Sequence, residues 1–177
     1  GIERTWLVTG YKADVLEAFL DGVTGLPEVR FVDNDAYDSA NNAESLRRAM
    51  LEMDTRRFLL CDGDILIGDP TWLNELVVDT RPNVLAVLLQ LQSQLGEEEM
   101  KVQVEGVDVP WYSRRVIGLS KGLNPSASHG ESIGAQVVGE LTFDALLDRL
   151  NKMSDGEREN SYYEDIFATL FEHGHEF

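Results

Sequence analysis

Apolar positions along this chain follow two alternating rhythms. Thr5-Trp-Leu-Val-Thr9 is a short, nearly continuous apolar run; after Gly10-Tyr11-Lys12 the period lengthens, and Val15, Leu16, Phe19 and Leu20 fall on one face of a helix predicted from about Ala13 to Leu20. A second run, Val29–Val32, leads into the polar loop Asp33–Asn42, and Leu46, Met50, Leu51 and Met53 recur through a predicted helix from about Ala43 to Met53. The third run is Phe58–Cys61. An acidic turn follows it, and a further helix is predicted from Pro70, where proline is at home in a first turn. Such strand–helix alternation predicts a three-layer α/β/α fold around a mostly parallel mixed sheet. Right-handed crossovers would bring the strand ends to one rim.

The second half changes character. Asn83–Leu91 reads as a long apolar strand, Lys101–Val104 as a short alternating one, and Val107–Leu119 as one or two more, which predicts antiparallel additions to the sheet or a small β flap. Ile133–Val138 reads as a buried strand. Helices are expected over Thr142–Met153, with Thr142 as N-cap, and over Tyr162–Glu172, with Ser154–Asn160 between them as a solvated loop. At 177 residues the expectation is a single domain, 1–177, large enough to bury a real core. Gly1-Ile-Glu-Arg4 enters a strand pattern almost at once and Glu172–Phe177 reads as the lead-in to another, so both ends look cut.

Composition narrows the classes. No apolar run approaches the roughly 20 residues of a membrane helix, and the first four residues are not a signal peptide. The single Cys61 excludes an internal disulfide framework and fits a reducing, cytoplasmic location; its apolar neighbours make it core filling rather than a nucleophile. The net charge of −17 argues against nucleic acid, whose backbone calls for clustered Lys and Arg. It leaves room for a small nucleotide whose phosphates are offset by a metal and a few local cations. Oligomeric state leaves no trace in the sequence.

Candidate chemistry gathers at the strand ends. In Phe58–Ile67 the apolar run delivers Asp62 and Asp64 where a parallel sheet opens its ligand crevice. Paired carboxylates there suit a hard cation such as Mg2+, and equally an acidic turn with no ligand. Asn41, Asn42 and Ser45 stand where a loop meets a helix N-terminus, a place for contacts to a base edge or for capping by Asn42. Lys121, one of four lysines, reads as a phosphate partner or as a surface side chain. Trp111, Tyr112, Tyr162 and Tyr163 with Glu131, Glu164 and Asp165 combine aromatic faces with acids, as an ammonium ligand requires. Tyr163, Phe167 and Leu170 also fall at helical spacing, as a core stripe does. His129, His173 and His175 show no metal spacing and read as surface residues.

Taken in order, Val8-Thr-Gly10-Tyr11, Val32-Asp-Asn34, Asn41-Asn42-Ala-Glu-Ser45-Leu46, Asp62-Gly63-Asp64, Ser120-Lys121-Gly122, Gly130-Glu131-Ser-Ile-Gly134 and Tyr162-Tyr163-Glu164-Asp165 resemble the MobA-like NTP transferase superfamily. The resemblance is strongest toward bacterial choline-phosphate cytidylyltransferases and sugar-phosphate nucleotidyltransferases, and it covers nearly the whole chain. It implies a Rossmann-like nucleotidyltransferase fold. The implied reaction is Mg2+-dependent transfer of a nucleoside monophosphate, CMP from CTP foremost, to choline phosphate, an aminoalkyl phosphonate or a sugar phosphate, with release of pyrophosphate. In that scheme Asp64 holds the metal with Asp62 beside it, Lys121 steadies the acceptor phosphate, and Asn41, Asn42 and Ser45 face the base. Glu131, Tyr162, Tyr163, Glu164 and Asp165 line the acceptor pocket. Members of the family open with a Gly-rich loop and close with an acidic strand, neither of which has a counterpart here. The chain is therefore expected to be an internal portion that binds NTP weakly and turns over poorly. The alternative is a non-catalytic nucleotide-binding or regulatory α/β domain.

Overall fold

The computed structural model describes residues 2–106 and 108–177. The chain divides into two compact units, Gly1–Thr55 with Leu147–Tyr163, and Arg56–Leu146 with Glu164–Phe177.

In the first unit the predicted alternation is met. Strand β1 (Arg4–Thr9) pairs in parallel with β2 (Glu28–Asp33) in register from Arg4 opposite Glu28 to Thr9 opposite Asp33, and helix α1 (Ala13–Asp21) connects them. Helix α2 (Asn42–Glu52) packs on both strands through Ala43, Leu46, Ala49 and Met50, which are buried. Leu51, expected on that face, points to solvent. The apolar face of α1 forms as predicted, yet it stays open: Val15 is 59% and Phe19 66% exposed, and no residue of the helix is buried.

The central contact of this unit is electrostatic. Glu44, in the first turn of α2 and only 6% exposed, receives Arg47 at 2.7 Å, Arg48 at 2.9 Å and Arg158 at 3.0 Å. Arg48 also bonds the Asp33 carbonyl at the end of β2 (3.1 Å) and pairs with Asp35 (2.5 Å). Arg158 lies in a helix the sequence reading took for a solvated loop. Residues Asp155–Asn160 form α5, because Ser154 and Glu157 close a capping box and Asp155 and Glu157 place acids in its first turn.

Among the described residues the second unit holds five strands. Strand β7 (Gly130–Val138) is central and longer than expected; it pairs antiparallel with β3 (Phe58–Cys61) on one side and with β4 (Val84–Leu89) on the other. β3 and β4 thus run parallel to each other with one antiparallel strand inserted between them. Strands β5 (Lys101–Glu105) and β6 (Arg115–Ser120) form the anticipated antiparallel addition, and β5 reaches β7 through the pairs Lys101–Glu131 and Val102–Gly130. Among the described residues, directly bonded neighbours are accordingly parallel only in β1–β2, whereas the sequence periodicity favoured a mostly parallel sheet. The physical reason is the β5–β6 hairpin, from which the chain re-enters the sheet in the reverse direction. The strand expected from Val107 begins on a residue outside the described ones, and Trp111–Ser113 is a 3-10 turn.

Helix α3 (Thr71–Val78) starts one residue after Pro70, with Asp69 accepting from the Thr71 N–H at 2.9 Å. Leu76, Ala135 and Val137 form a core with Trp72, Leu59 and Ile133 packed on it. Helix α4 (Glu140–Lys152) begins earlier than predicted, so Thr142 is not its cap. That side chain is buried and its hydroxyl bonds His175 Nδ1 at 2.9 Å. His129 likewise leaves the surface role assigned to it, accepting from the Val104 N–H at 3.3 Å. Helix α6 (Tyr163–Phe171) buries Tyr163, Phe167 and Leu170, the predicted stripe. Cys61 corrects in the other direction: at the end of β3 it is exposed, not core filling.

The Arg47 and Arg48 guanidinium groups hold the Glu44 carboxyl down from the ordinary 4.5 to about 2, with the Arg47 hydrogen bond the largest cause and burial opposing it. A depressed folded-state value adds stability that is complete above the unfolded value and lost as pH falls. A depression of that size corresponds to about 3 kcal/mol. Denaturant titrations should therefore show stability falling by about that amount as pH drops from about 4.5 toward 2, and Glu44→Gln should lose about 3 kcal/mol at pH 7. The variant should also lack most of that acid-dependent fall; an unchanged fall would reject the assignment.

Candidate functional site

The polar turn that opens α2 is built by asparagines. Asn41, not Asn42, is the N-cap; its carboxamide oxygen accepts from the Asn42 N–H at 2.9 Å. Its own N–H donates to the Glu159 carbonyl at 3.1 Å. Asn42 instead accepts from the Tyr163 N–H at 2.9 Å, so Asn41–Asn42 and Tyr162–Tyr163, far apart in sequence, come together. Ser45 accepts from Asn34 Nδ2 at 3.0 Å, and the oxygen of the same Asn34 carboxamide takes the Ala36 N–H at 3.1 Å. The loop before the turn is pressed close to the end of β1, since a Cβ on Gly10 would overlap the Tyr37 side chain. At that strand end Lys12 holds φ 54°, a left-handed conformation uncommon outside glycine, and nothing in the sequence announced it.

In the second unit Asp62 leaves β3 beside β7. Its N–H donates to the Gly134 carbonyl at 2.8 Å, and its carboxylate lies over the Gly134 Cα, where any Cβ would overlap it. Gly134 also holds φ +69°, so both its backbone and its bare Cα serve the placement of Asp62. Asp64 follows in the exposed part of the turn. Among the described residues no group of three or more His, Cys, Asp or Glu side chains could hold a metal ion. The two aspartates offer hard oxygen donors of the type Mg2+ takes.

Lys121 follows β6 directly and pairs with Glu98 at 3.3 Å, an exposed contact of little energy. Glu131, on β7, accepts from Gln90 Nε2 at 2.5 Å. Burial first, and the neighbouring Glu99 second, push its carboxyl above the usual range. Of the acids in the Tyr162–Asp165 segment, Glu164 is buried and Asp165 exposed. Trp111 and Tyr112 stand elsewhere in this unit, beside a cavity of about 340 Å³ lined also by Val84, Leu85, Arg114 and Phe177. The guanidinium of Arg114 sits 4.0 Å from the Trp111 ring centroid and His129 meets the same ring edge-on. Glu131 does not line that cavity.

Sequence reasoning missed Lys101. Alternation in Lys101-Val-Gln-Val-Glu105 places it with the polar positions, yet it is 1% exposed, its ammonium donating to the carbonyls of Gly96 (2.7 Å) and Glu99 (3.1 Å).

No family model and no curated protein matches the sequence. Solved structures do. The chain superposes on an inositol-1-phosphate CTP transferase from T. maritima with TM-score 0.72 at 20% identity, covering 99% of this chain and 65% of that one. A UDP-glucose pyrophosphorylase complexed with UDP-glucose gives 0.70 at 12% identity, covering 99% and 71%. A CMP:2-keto-3-deoxy-manno-octonic acid synthetase complexed with CTP gives 0.64 at 15%, covering 99% and 70%. The chain thus spans about 65% of the length of the first of these structures. At such identities the likeness establishes the fold, a mixed α/β arrangement of the Rossmann-like nucleotidyltransferase type.

Gly134→Ala should force the Asp62 carboxylate aside and place an alanine in the left-handed region, a loss of about 1–3 kcal/mol in chemical denaturation. Amide shifts should change at Asp62–Asp64. A variant of unchanged stability with an unmoved turn would contradict this placement.

Proposed function

We propose that this chain carries the core of an enzyme that transfers a nucleoside monophosphate, CMP from CTP foremost, to a small phosphorylated acceptor. The observation that carries the reading is the Asp62–Asp64 turn at the end of β3, seated on Gly134, in a fold shared with three nucleotidyltransferases that differ in acceptor. An oxygen of the acceptor phosphate attacks the α-phosphorus, a P–O bond forms, and the bond to the β-phosphate breaks with pyrophosphate leaving. The acceptor brings its own nucleophile, so the protein's work is positioning and charge neutralisation.

Asp64 is the metal-holding carboxylate and Asp62 its neighbour on the nucleotide side. Mg2+ held by these carboxylates would supply positive charge to offset what develops during displacement. Lys121 exchanges its exposed partner Glu98 for the acceptor phosphate, an exchange that costs little because a surface pair contributes roughly 0–1 kcal/mol. Asn41, Asn42 and Ser45 face the base, held by the bonds that pin the α2 turn. Glu131, Tyr162, Tyr163, Glu164 and Asp165 belong to the acceptor side. Choline phosphate, an aminoalkyl phosphonate and a sugar phosphate are the acceptor classes, and the cytoplasm is the location that supplies them with CTP.

Pyrophosphate release should be measured on the full natural polypeptide carrying this sequence, with Mg2+, each NTP and each acceptor class. One acceptor should support release, and Asp64→Asn should cut kcat/KM by at least about a hundredfold, close to 3 kcal/mol of transition-state stabilisation, with thermal stability unchanged. Absence of release with every NTP and acceptor from a folded protein would overturn the enzyme reading and favour a nucleotide-binding domain.

A further inference from the structure

The cavity beside Trp111 and Tyr112 has no part in the chemistry proposed above. Its β4 wall stands on the opposite edge of β7 from β3 and the acidic turn. Its charge departs from that of the chain. Among the described residues Arg81, Arg114 and Arg115 line it with a single acid, Glu176, whereas the whole chain carries 15 basic residues against 32 acidic ones. Val84 and Leu85 of β4, Val104 of β5 and Val116 of β6 supply an aliphatic wall.

Polar bonds hold these walls apart. Asn83, itself buried, accepts from the Gly139 N–H at 3.0 Å and donates to the Glu176 carbonyl at 2.7 Å. The Val116 N–H donates to the Phe177 carbonyl at 2.9 Å, and the Phe177 ring meets Phe167 and Phe171 edge-on. Arg81 bonds the Tyr112 carbonyl and so ties the Trp111–Ser113 turn to the segment that enters β4. Arg114 is fixed twice. Its Nε–H donates to the Val109 carbonyl at 3.3 Å, and its guanidinium lies 4.0 Å from the Trp111 ring centroid. A hollow of about 340 Å³ with apolar walls and a few oriented polar groups has the size and make-up of a small-molecule site.

We propose that this cavity binds a small organic acid, an apolar body ending in one carboxylate. The planar guanidinium fork receives a carboxylate through two parallel N–H···O bonds, and the aliphatic wall takes the body. Arg115 already shows the exchange this requires. It pairs with Glu105 and with Glu176, whose side chains are 49% and 68% exposed. Pairs so open to water contribute little, so a ligand carboxylate replaces Glu176 at small cost. A neutral ligand of the same shape gains only the apolar contact.

Phenylbutyrate and its neutral amide, phenylbutanamide, are titrated into the isotopically labelled full natural polypeptide carrying this sequence. Binding is read from amide and indole N–H shifts. The acid should saturate, with shifts at the Trp111 indole and at 84–89 and 114–116, and bind about tenfold more tightly than the amide. Added salt should weaken the acid alone. In the double variant Arg114→Gln with Arg115→Gln the two affinities should converge to within about twofold. Should that variant fail to fold, Arg114→Gln alone takes its place; a reduced advantage of the acid is expected, and an undiminished one contradicts the proposal. Asp64→Asn should change neither affinity. Equal affinities in the wild type, or no saturable shift at the cavity, overturn the proposal. Displacement of the acid by CTP overturns it too, because the cavity would then belong to the nucleotide. The titration reads binding and not turnover, so a failure of the transferase reading leaves its result intact.

Discussion

A single buried carboxylate organises the polar half of the first unit. Glu44 would be an expensive group to bury alone, and it is tolerable because Arg47, Arg48 and Arg158 reach it from three directions. Two of the arginines also tie down something else. Arg48 bonds the end of β2 through the Asp33 carbonyl and pairs with Asp35; Arg158 bonds the carbonyls of Leu150 and Met153 and pairs with Asp155. The turn that carries Asn41, Asn42 and Ser45 therefore sits on a rigid base, although it is itself a loop meeting a helix. Positional accuracy of this kind is what the proposed contact with a planar base edge would require, and a network of charge-assisted bonds supplies it better than apolar contact, which has no direction.

The second unit solves the equivalent problem with backbone and a missing side chain. Asp62 is placed by one hydrogen bond to Gly134 and by the space above a Cα without a Cβ. Lys101 is placed by carbonyls. In both cases the side chain lies in or beside the β7 ladder, so its position follows from strand register. Register is strongly determined here because Ala135, Val137 and Val138 are all buried.

Much of this was legible from the order of residues, for identifiable reasons. β3 and its acidic turn could be read because an apolar run ends abruptly on charges and a proline follows. The first helices were legible because their apolar spacing is regular. What escaped depends on partners remote in sequence. Helix α5 hides in Asp155-Gly-Glu-Arg-Glu-Asn160, a charged run whose only signal is the Ser154–Glu157 box. The antiparallel insertion of β7 is invisible to periodicity, since a buried strand reads the same in either direction. Asn42 reads equally as a cap or a base contact; the cap is Asn41, one residue earlier, and Asn42 accepts instead from the Tyr163 N–H. Lys101 and His175 were misplaced because alternation and polarity describe average burial. Each is satisfied by a partner that only the fold provides, two carbonyls for one and the Thr142 hydroxyl for the other.

The proposed nucleotide ligand has a candidate contact in each unit taken by itself, the turn at the head of α2 in the first and the turn at the end of β3 in the second. Titration of the isotopically labelled chain with CTP and Mg2+, followed by amide chemical shifts, tests this most directly. It predicts saturable shifts concentrated at 41–45 and 62–64, weaker when Mg2+ is withheld. Shifts confined to the cavity beside Trp111 and Tyr112, or none at all at millimolar CTP, would contradict it.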